Sequence, residues 1–337
     1  MIAQLDKAFI KARPWKLWSR LLAYGLFEGR PLTTKGQWFN PVVFGFFKLC
    51  RLVQYKKHID DPVFIVGMGR SGTTALGSVL SMHREIAYLN EPKALWHSID
   101  DNEDLIGSYS TNIGRYRLDP DSVDCTKTAA ISNVYKTLLK LTGSSKLVDK
   151  YPELLFRIPY VLAFFPNAKF IMLTRNGFDN CRSIAKWCDV HASTKGDSTY
   201  DWWGSNDRKW NAICDQLIPE HEDLFLYKEQ IENYQHNFDK ACVEWIITMR
   251  EVSTAMRKYP TSVIQVDYDD LCSEPRNVLR KILTAVDLES TDEVLNEYAE
   301  QTLARKSLSN SCMKVDIYLQ KAFSETMNNF AYESTKT

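Results

Sequence analysis

The sequence lacks the features that mark several protein classes. It has no net charge, since 42 Lys and Arg balance 42 Asp and Glu over 337 residues. A chain without a basic surplus gives no reason to expect a nucleic-acid partner. Its eight cysteines, Cys50, Cys125, Cys181, Cys188, Cys214, Cys242, Cys272 and Cys312, contain no CxxC pair. That spacing argues against a structural zinc site. A chain of this length buries its own core and needs no disulfide framework, so reduced thiols are expected. No Asn-x-Ser/Thr sequon occurs, and Met1–Pro14 holds no secretory apolar stretch. The address expected from these absences is cytoplasmic. The longest apolar run near the N-terminus, Pro41–Phe47, is too short to span a bilayer.

What is present divides into unlike parts. Residues 1–59 are an aromatic and basic extension. Trp15, Trp18, Trp38 and several Phe interleave with Lys7, Lys11, Arg13, Lys16, Arg20, Arg30, Lys35 and Lys48. Leu5, Ala8, Phe9 and Ala12 recur at helical spacing. Two readings stand here: an extension packed on the main domain, or peripheral membrane contact through residues 1–50. Residues 60–310 alternate short β-branched runs with helical segments. Pro62–Gly67, Lys146–Asp149, Lys169–Thr174 and Ser262–Asp267 read as buried strands, and Ile86–Leu89 as a shorter extended run. Helices are expected at Thr73–His83, Pro152–Phe165, Gly177–Val190, 239–258 and 275–286. The predicted fold is α/β: a P-loop-like parallel sheet of four to five strands with helices on both faces, plus a helical N-terminal extension. Segment 191–237 reads as an insertion over the end of the sheet, and 311–337 as a tail.

The first strand runs into Gly67-Met-Gly69-Arg70-Ser71-Gly72-Thr73-Thr74, and a helix follows. Glycines let a turn fold tightly against an anion, and the amides of the helix start point at it. Ser71, Thr73 and Thr74 add hydroxyl donors. The Gly67-x4-Gly72 spacing is that of a nucleoside-triphosphate loop, yet Thr73 stands where that loop needs Lys. The cation is instead Arg70, whose planar fork suits phosphate or sulfonate oxygens. A kinase reading draws support from Val263–Asp267, which mimics the second strand of triphosphatases, but it lacks that lysine. A second cation, Arg175, ends the strand Lys169–Thr174, and Ser183 follows eight residues later in the next helix. The carboxyl ends of parallel strands face the ligand crevice of such sheets.

The string Gly69-Arg70-Ser71-Gly72-Thr73-Thr74 resembles the 5′-phosphosulfate loop of sulfotransferases that use 3′-phosphoadenosine-5′-phosphosulfate (PAPS), in the arginine-bearing branch of tyrosylprotein, carbohydrate and bacterial enzymes. Phe165–Ser183 is similar to the family's 3′-phosphate motif, in which an Arg and a Ser correspond to Arg175 and Ser183. Asn176-Gly177 departs from the usual Asp-Pro or Asp-Gly. Lys150-Tyr-Pro152, Trp245 and Val266-Asp-Tyr268-Asp-Asp-Leu271 match more loosely. The resemblance implies sulfuryl transfer to a hydroxyl or amine of a small-molecule, carbohydrate or glycolipid acceptor, with release of 3′-phosphoadenosine 5′-phosphate (PAP) and no metal requirement. It implies cofactor contacts from Gly69 to Thr74 and from Arg175, Ser183 and Tyr268. It further implies Glu91 as the base, with Arg70 and Lys150 as cations at the departing oxygens. By residue type alone, Glu91 reads instead as a solvated carboxylate beside Pro92. His97 and His191 are the rival bases, having the better-matched unperturbed pKa.

Overall fold

The computed structural model describes residues 4–303 and 313–332, apart from positions 33, 54, 58, 60, 196 and 197. Strands β1 (Val63–Gly67), β2 (Ile86–Asn90), β3 (Lys146–Lys150) and β4 (Lys169–Thr174) come first. Three short strands follow, β5 (Ser193–Lys195), β6 (Ser198–Asp201) and β7 (Gly204–Ser205), and then β8 (Val263–Asp267). Five of them form one parallel sheet in the order β2-β3-β1-β4-β8, while β5, β6 and β7 make a small antiparallel sheet. The expected α/β sheet is therefore present with five strands, and the run Ile86–Leu89 is its edge strand.

The uninterrupted apolar character of β1 has a simple cause. Successive side chains of a strand point to opposite faces. Val63 and Ile65 join one core with Leu76, Val79 and Ile282, whereas Phe64 and Val66 join the other with Trp96, Phe170 and Trp245. Both faces are covered, so neither can be polar. The expected helix 152–165 is divided into a 3-10 stretch, Pro152–Arg157, and an α-helix, Ile158–Phe164. Pro159 is responsible: deep in one continuous helix its ring would collide with a preceding carbonyl and supply no N–H.

The N-terminal segment packs on the sheet and closes its edge. An exposed edge strand offers unpaired carbonyls and amides to any passing strand. Lys16 Nζ donates to the Ile86 carbonyl at 2.6 Å, and Arg20 Nη1 donates to the Tyr88 carbonyl at 2.6 Å. The Asn90 amide donates to Glu28 Oε1 at 2.9 Å. Arg13 reaches across to the Met82 carbonyl and to Asp292. Arg13, Lys16, Arg20 and Arg30 are all buried. These bases look on paper like a membrane-facing set, and they are spent inside the molecule. Burial, with nearby Arg13 adding to it, pulls the Lys16 pKa down to about 7. Ala23, Phe27, Val43 and Phe47 enter the same core as Phe64. The helix Gln320–Asn329 likewise contributes Phe323 and Met327 to that core.

Candidate active site

The sheet order brings two distant sequence motifs together. β1 and β4 are neighbours in register, with Gly67 beside Leu173. The loops leaving their carboxyl ends therefore emerge side by side. Gly67 has φ +132°, and a Cβ there would lie 2.5 Å from the Leu173 carbonyl oxygen. Gly72 has φ +101°, and a Cβ there would strike the Tyr268 ring at 2.4 Å. Both positions thus demand glycine. Arg70 sits between them at φ +66°, a left-handed conformation rarely adopted by a side-chain-bearing residue. The helix Thr73–Leu80 starts directly after the turn.

Arg70 Nε donates to Ser183 Oγ at 3.2 Å, and Arg175 Nη1 donates to the Arg70 carbonyl at 2.8 Å. The guanidinium of Arg175 lies 4.3 Å from the centroid of the Tyr268 ring. Its Nε is buried without a hydrogen-bond partner. Burial, and then the charge of Arg175, hold the Arg70 pKa below its usual value. Two guanidinium groups held this close concentrate positive charge, an arrangement that suits an anion. The frame behind them is rigid. Trp245 Nε1 donates to the Arg175 carbonyl at 3.0 Å, and Asn180 Nδ2 donates to the Gly69 carbonyl at 3.0 Å. Ser71 is part of that frame: it is buried, and its hydroxyl donates to the Met68 carbonyl at 2.6 Å, bracing the turn.

A cavity of about 420 Å³ opens over this cluster. Gly69, Arg70, Gly72, Thr73, Thr74, Arg175, Ser183 and Tyr268 line it, and so does Glu91. Glu91 arrives by register: Asn90 of β2 pairs with Lys150 of β3, and the Glu91 amide donates to the Lys150 carbonyl at 2.7 Å. Its carboxylate accepts from Lys150 Nζ at 2.5 Å, with Lys93 Nζ 3.7 Å away on the other oxygen. Lys150 is buried behind it. Glu91 also has positive φ, +50°. Burial pushes its pKa up, but Lys150 and then Lys93 outweigh burial and hold it down to about 2. The rival histidines stand apart. His97 stacks on Tyr109 at 5.5 Å, and His191 lies against Trp187 at 5.1 Å; neither lines the cavity.

The cavity also holds residues that reading along the chain did not single out. Lys93 Nζ donates to Glu153 Oε1 at 3.2 Å, and Lys209 Nζ lies 2.6 Å from Glu244 Oε1. Trp202 Nε1 donates to Glu244 Oε2 at 2.9 Å. The edge of the Trp202 ring abuts Gly69, its nearest atom 2.2 Å from where a Cβ would be, so the 191–237 segment contacts the Gly67–Thr74 loop itself. The only signal for this in the sequence was the tryptophan density of that segment. Among the described residues, no group of three or more His, Cys, Asp or Glu is arranged to hold a metal ion.

A model of the sulfotransferase family matches residues 62–293, and the chain belongs to that family. The stretch matched contains both anion loops, Glu91 and Lys150. The solved sulfotransferase domain from the curacin biosynthetic pathway shares this fold: TM-score 0.51, 15% identity, covering 82% of this chain and 99% of that one. A sulfotransferase domain from the Synechococcus PCC 7002 olefin synthase aligns with TM-score 0.48 and 17% identity, covering 83% of this chain and 98% of that one. An uncharacterized protein of Aquifex aeolicus (strain VF5) is 23% identical over 248 residues, 70% of this chain. The chain spans only 27% of that relative's length.

Proposed function

We propose that the chain transfers the sulfuryl group of PAPS to a hydroxyl or amine of a small-molecule, carbohydrate or glycolipid acceptor and releases PAP. The observation that carries this reading is the convergence of Arg70, Arg175 and Ser183 on one cavity with the Glu91–Lys150 pair beside it. Arg175 and Ser183 suit the 3′-phosphate, and the buried unpartnered Nε of Arg175 leaves a donor for it. The amides and hydroxyls of the Gly69–Thr74 loop suit the 5′-phosphosulfate. In the transfer, the acceptor oxygen or nitrogen forms a bond to sulfur as the bond from sulfur to the bridging phosphate oxygen breaks. The electron pair leaves with that phosphate, where Arg70 and Lys150 offset the growing charge. The acceptor's proton passes to the Glu91 carboxylate.

The test is release of PAP from PAPS across a panel of acceptors, with and without excess chelator. Turnover that persists in chelator is expected, since Arg70 and Lys150 supply the positive charge. An absolute dependence on magnesium would revive the kinase reading. Binding gives an independent check. PAP should raise the melting temperature much more than AMP does, because only PAP reaches Arg175 and Ser183. Arg175→Ala removes a charge-assisted contact worth about 1.5–3 kcal/mol, so most of the difference between the two nucleotides should vanish. Equal shifts with PAP and AMP in the unaltered chain would sink the 3′-phosphate assignment.

The Glu91 pKa carries a pH prediction with a definite sign. A depressed carboxylate stays ionised above its pKa and loses the base form only as pH falls through it. In the free chain that value is about 2, so kcat/KM should show no acid limb from Glu91 until pH approaches it. Once Lys150 turns to the departing oxygen, the main depressing charge is withdrawn and burial raises Glu91. The acid limb of kcat, which reports on the bound complex, should therefore lie at higher pH than that of kcat/KM. Coincident limbs would show that Lys150 never leaves Glu91.

A further inference from the structure

The helix Asn40–Leu52 is apolar on two opposite sides. Val43, Phe47 and Cys50 face the core. Trp38, Val42, Leu49 and Leu52 are exposed by 82%, 50%, 63% and 77% respectively. At 100° per residue Val42, Leu49 and Leu52 fall on one stripe, opposite the buried set, and Trp38 stands exposed in the 3-10 turn Gln37–Phe39 that leads into the helix. Single exposed apolar residues need no explanation, but a stripe of large ones along one helix marks a contact surface.

The charge around the stripe says what kind of contact. No Asp or Glu occurs between Glu28 and Asp60, while Lys48, Lys56 and Lys57 do. All three lysines are exposed. The chain leaving the helix lines a cleft formed by Tyr55, Lys56, Lys57, Leu139 and Lys140, with Lys140 Nζ 4.7 Å from the Tyr55 ring centroid. An exposed apolar stripe thus leads straight into a lysine cluster without a neighbouring acid from its own segment. With 13 residues the helix is too short to cross a bilayer. Its proportions suit lying in the interface, leucines among the acyl chains, tryptophan at headgroup level and lysines against phosphate.

We propose that this face docks on an anionic lipid surface. The bases involved differ from those that first draw the eye in the N-terminal segment: Lys16 and Arg20 are committed to the sheet edge and Arg13 to the Met82 carbonyl and Asp292, and the contact belongs to Lys48, Lys56 and Lys57.

The test is co-sedimentation of the full chain with vesicles of phosphatidylcholine alone or of phosphatidylcholine with phosphatidylglycerol. The chain should pellet with the anionic vesicles and much less with the neutral ones, and raised salt should release it. Each lysine near an anionic surface is worth roughly fivefold in partitioning, so Lys56→Ser with Lys57→Ser should weaken binding about 25-fold. Leu49→Glu with Leu52→Glu should abolish it, with an unchanged melting temperature as the control for folding. Failure to pellet with anionic vesicles would overturn the proposal. So would equal pelleting with both vesicle types. A dimer in sedimentation equilibrium that the Leu49→Glu, Leu52→Glu variant converts to monomer, without vesicle binding by the unaltered chain, would assign the face to a second copy and overturn it as well.

Discussion

Glu91→Gln should lower turnover by about 100-fold or more while leaving PAP affinity within a few-fold. The substitution keeps the shape of the side chain and removes its ability to take a proton. The nucleotide contacts proposed for Arg70, Arg175 and Ser183 involve other side chains, so they should survive. One complication follows from the geometry. Glu91 is the partner of Lys150 at 2.5 Å, and a neutral amide leaves that buried ammonium less well matched. Lower melting temperature is therefore expected in the free variant, and PAPS should recover part of it by giving Lys150 an oxyanion. Three outcomes separate three roles. Loss of rate with intact PAP binding fits the base. Loss of both makes Glu91 a positioning residue for Lys150. Normal rate removes Glu91 from the chemistry, and the search for the base then turns to other carboxylates of the cavity, first Glu153.

Arg20→Ala should destabilise the fold by about 3–5 kcal/mol, although Arg20 does not line the cavity. Arg20 and Glu28 are 2.9 Å apart, with side chains 2% and 4% exposed. Removing the guanidinium strands a carboxylate in the interior and leaves the Tyr88 carbonyl of the edge strand without its donor at Nη1. Breaking one side of a buried pair costs far more than the pair's net worth. Denaturant unfolding should show the midpoint falling sharply. A double variant, Arg20→Leu with Glu28→Leu, should regain much of the loss, since no charge is then left buried. A single Arg20→Ala variant within 1 kcal/mol of the parent would mean the N-terminal segment is a detachable cover. The edge strand also positions the site: β2 delivers Glu91 to the cavity, so partial unfolding of the segment should cost activity as well as stability.

What the chain announced by itself was everything encoded in contiguous residues. A glycine turn needs its glycines in a row, and Gly67 to Thr74 spelled an anion loop because strand, turn and helix start are one stretch of backbone. Arg175 and Ser183 were legible for the same reason: strand end and following helix fix their separation. Four strands were legible as short apolar runs and Ile86–Leu89 as a shorter extended run; β3 kept its signal although it ends in the buried Asp149 and Lys150. What depends on residues far apart was decided only by the tertiary structure. That Arg70 touches Ser183 follows from β1 and β4 being neighbours. That Glu91 meets Lys150 follows from the β2–β3 register, and pairing register is written in no local pattern. The ion pairs Lys93–Glu153 and Lys209–Glu244 in the cavity lining had no sequence signature, since a buried Lys and a solvated Lys are the same letter. The N-terminal bases make the point most clearly. In sequence Arg13, Lys16 and Arg20 belong to one amphipathic surface with Lys48. In the fold Lys16 and Arg20 satisfy carbonyls of the edge strand and Arg13 reaches the Met82 carbonyl and Asp292, because an edge strand must be capped and a long side chain can carry its charge to a carbonyl that the backbone alone cannot reach.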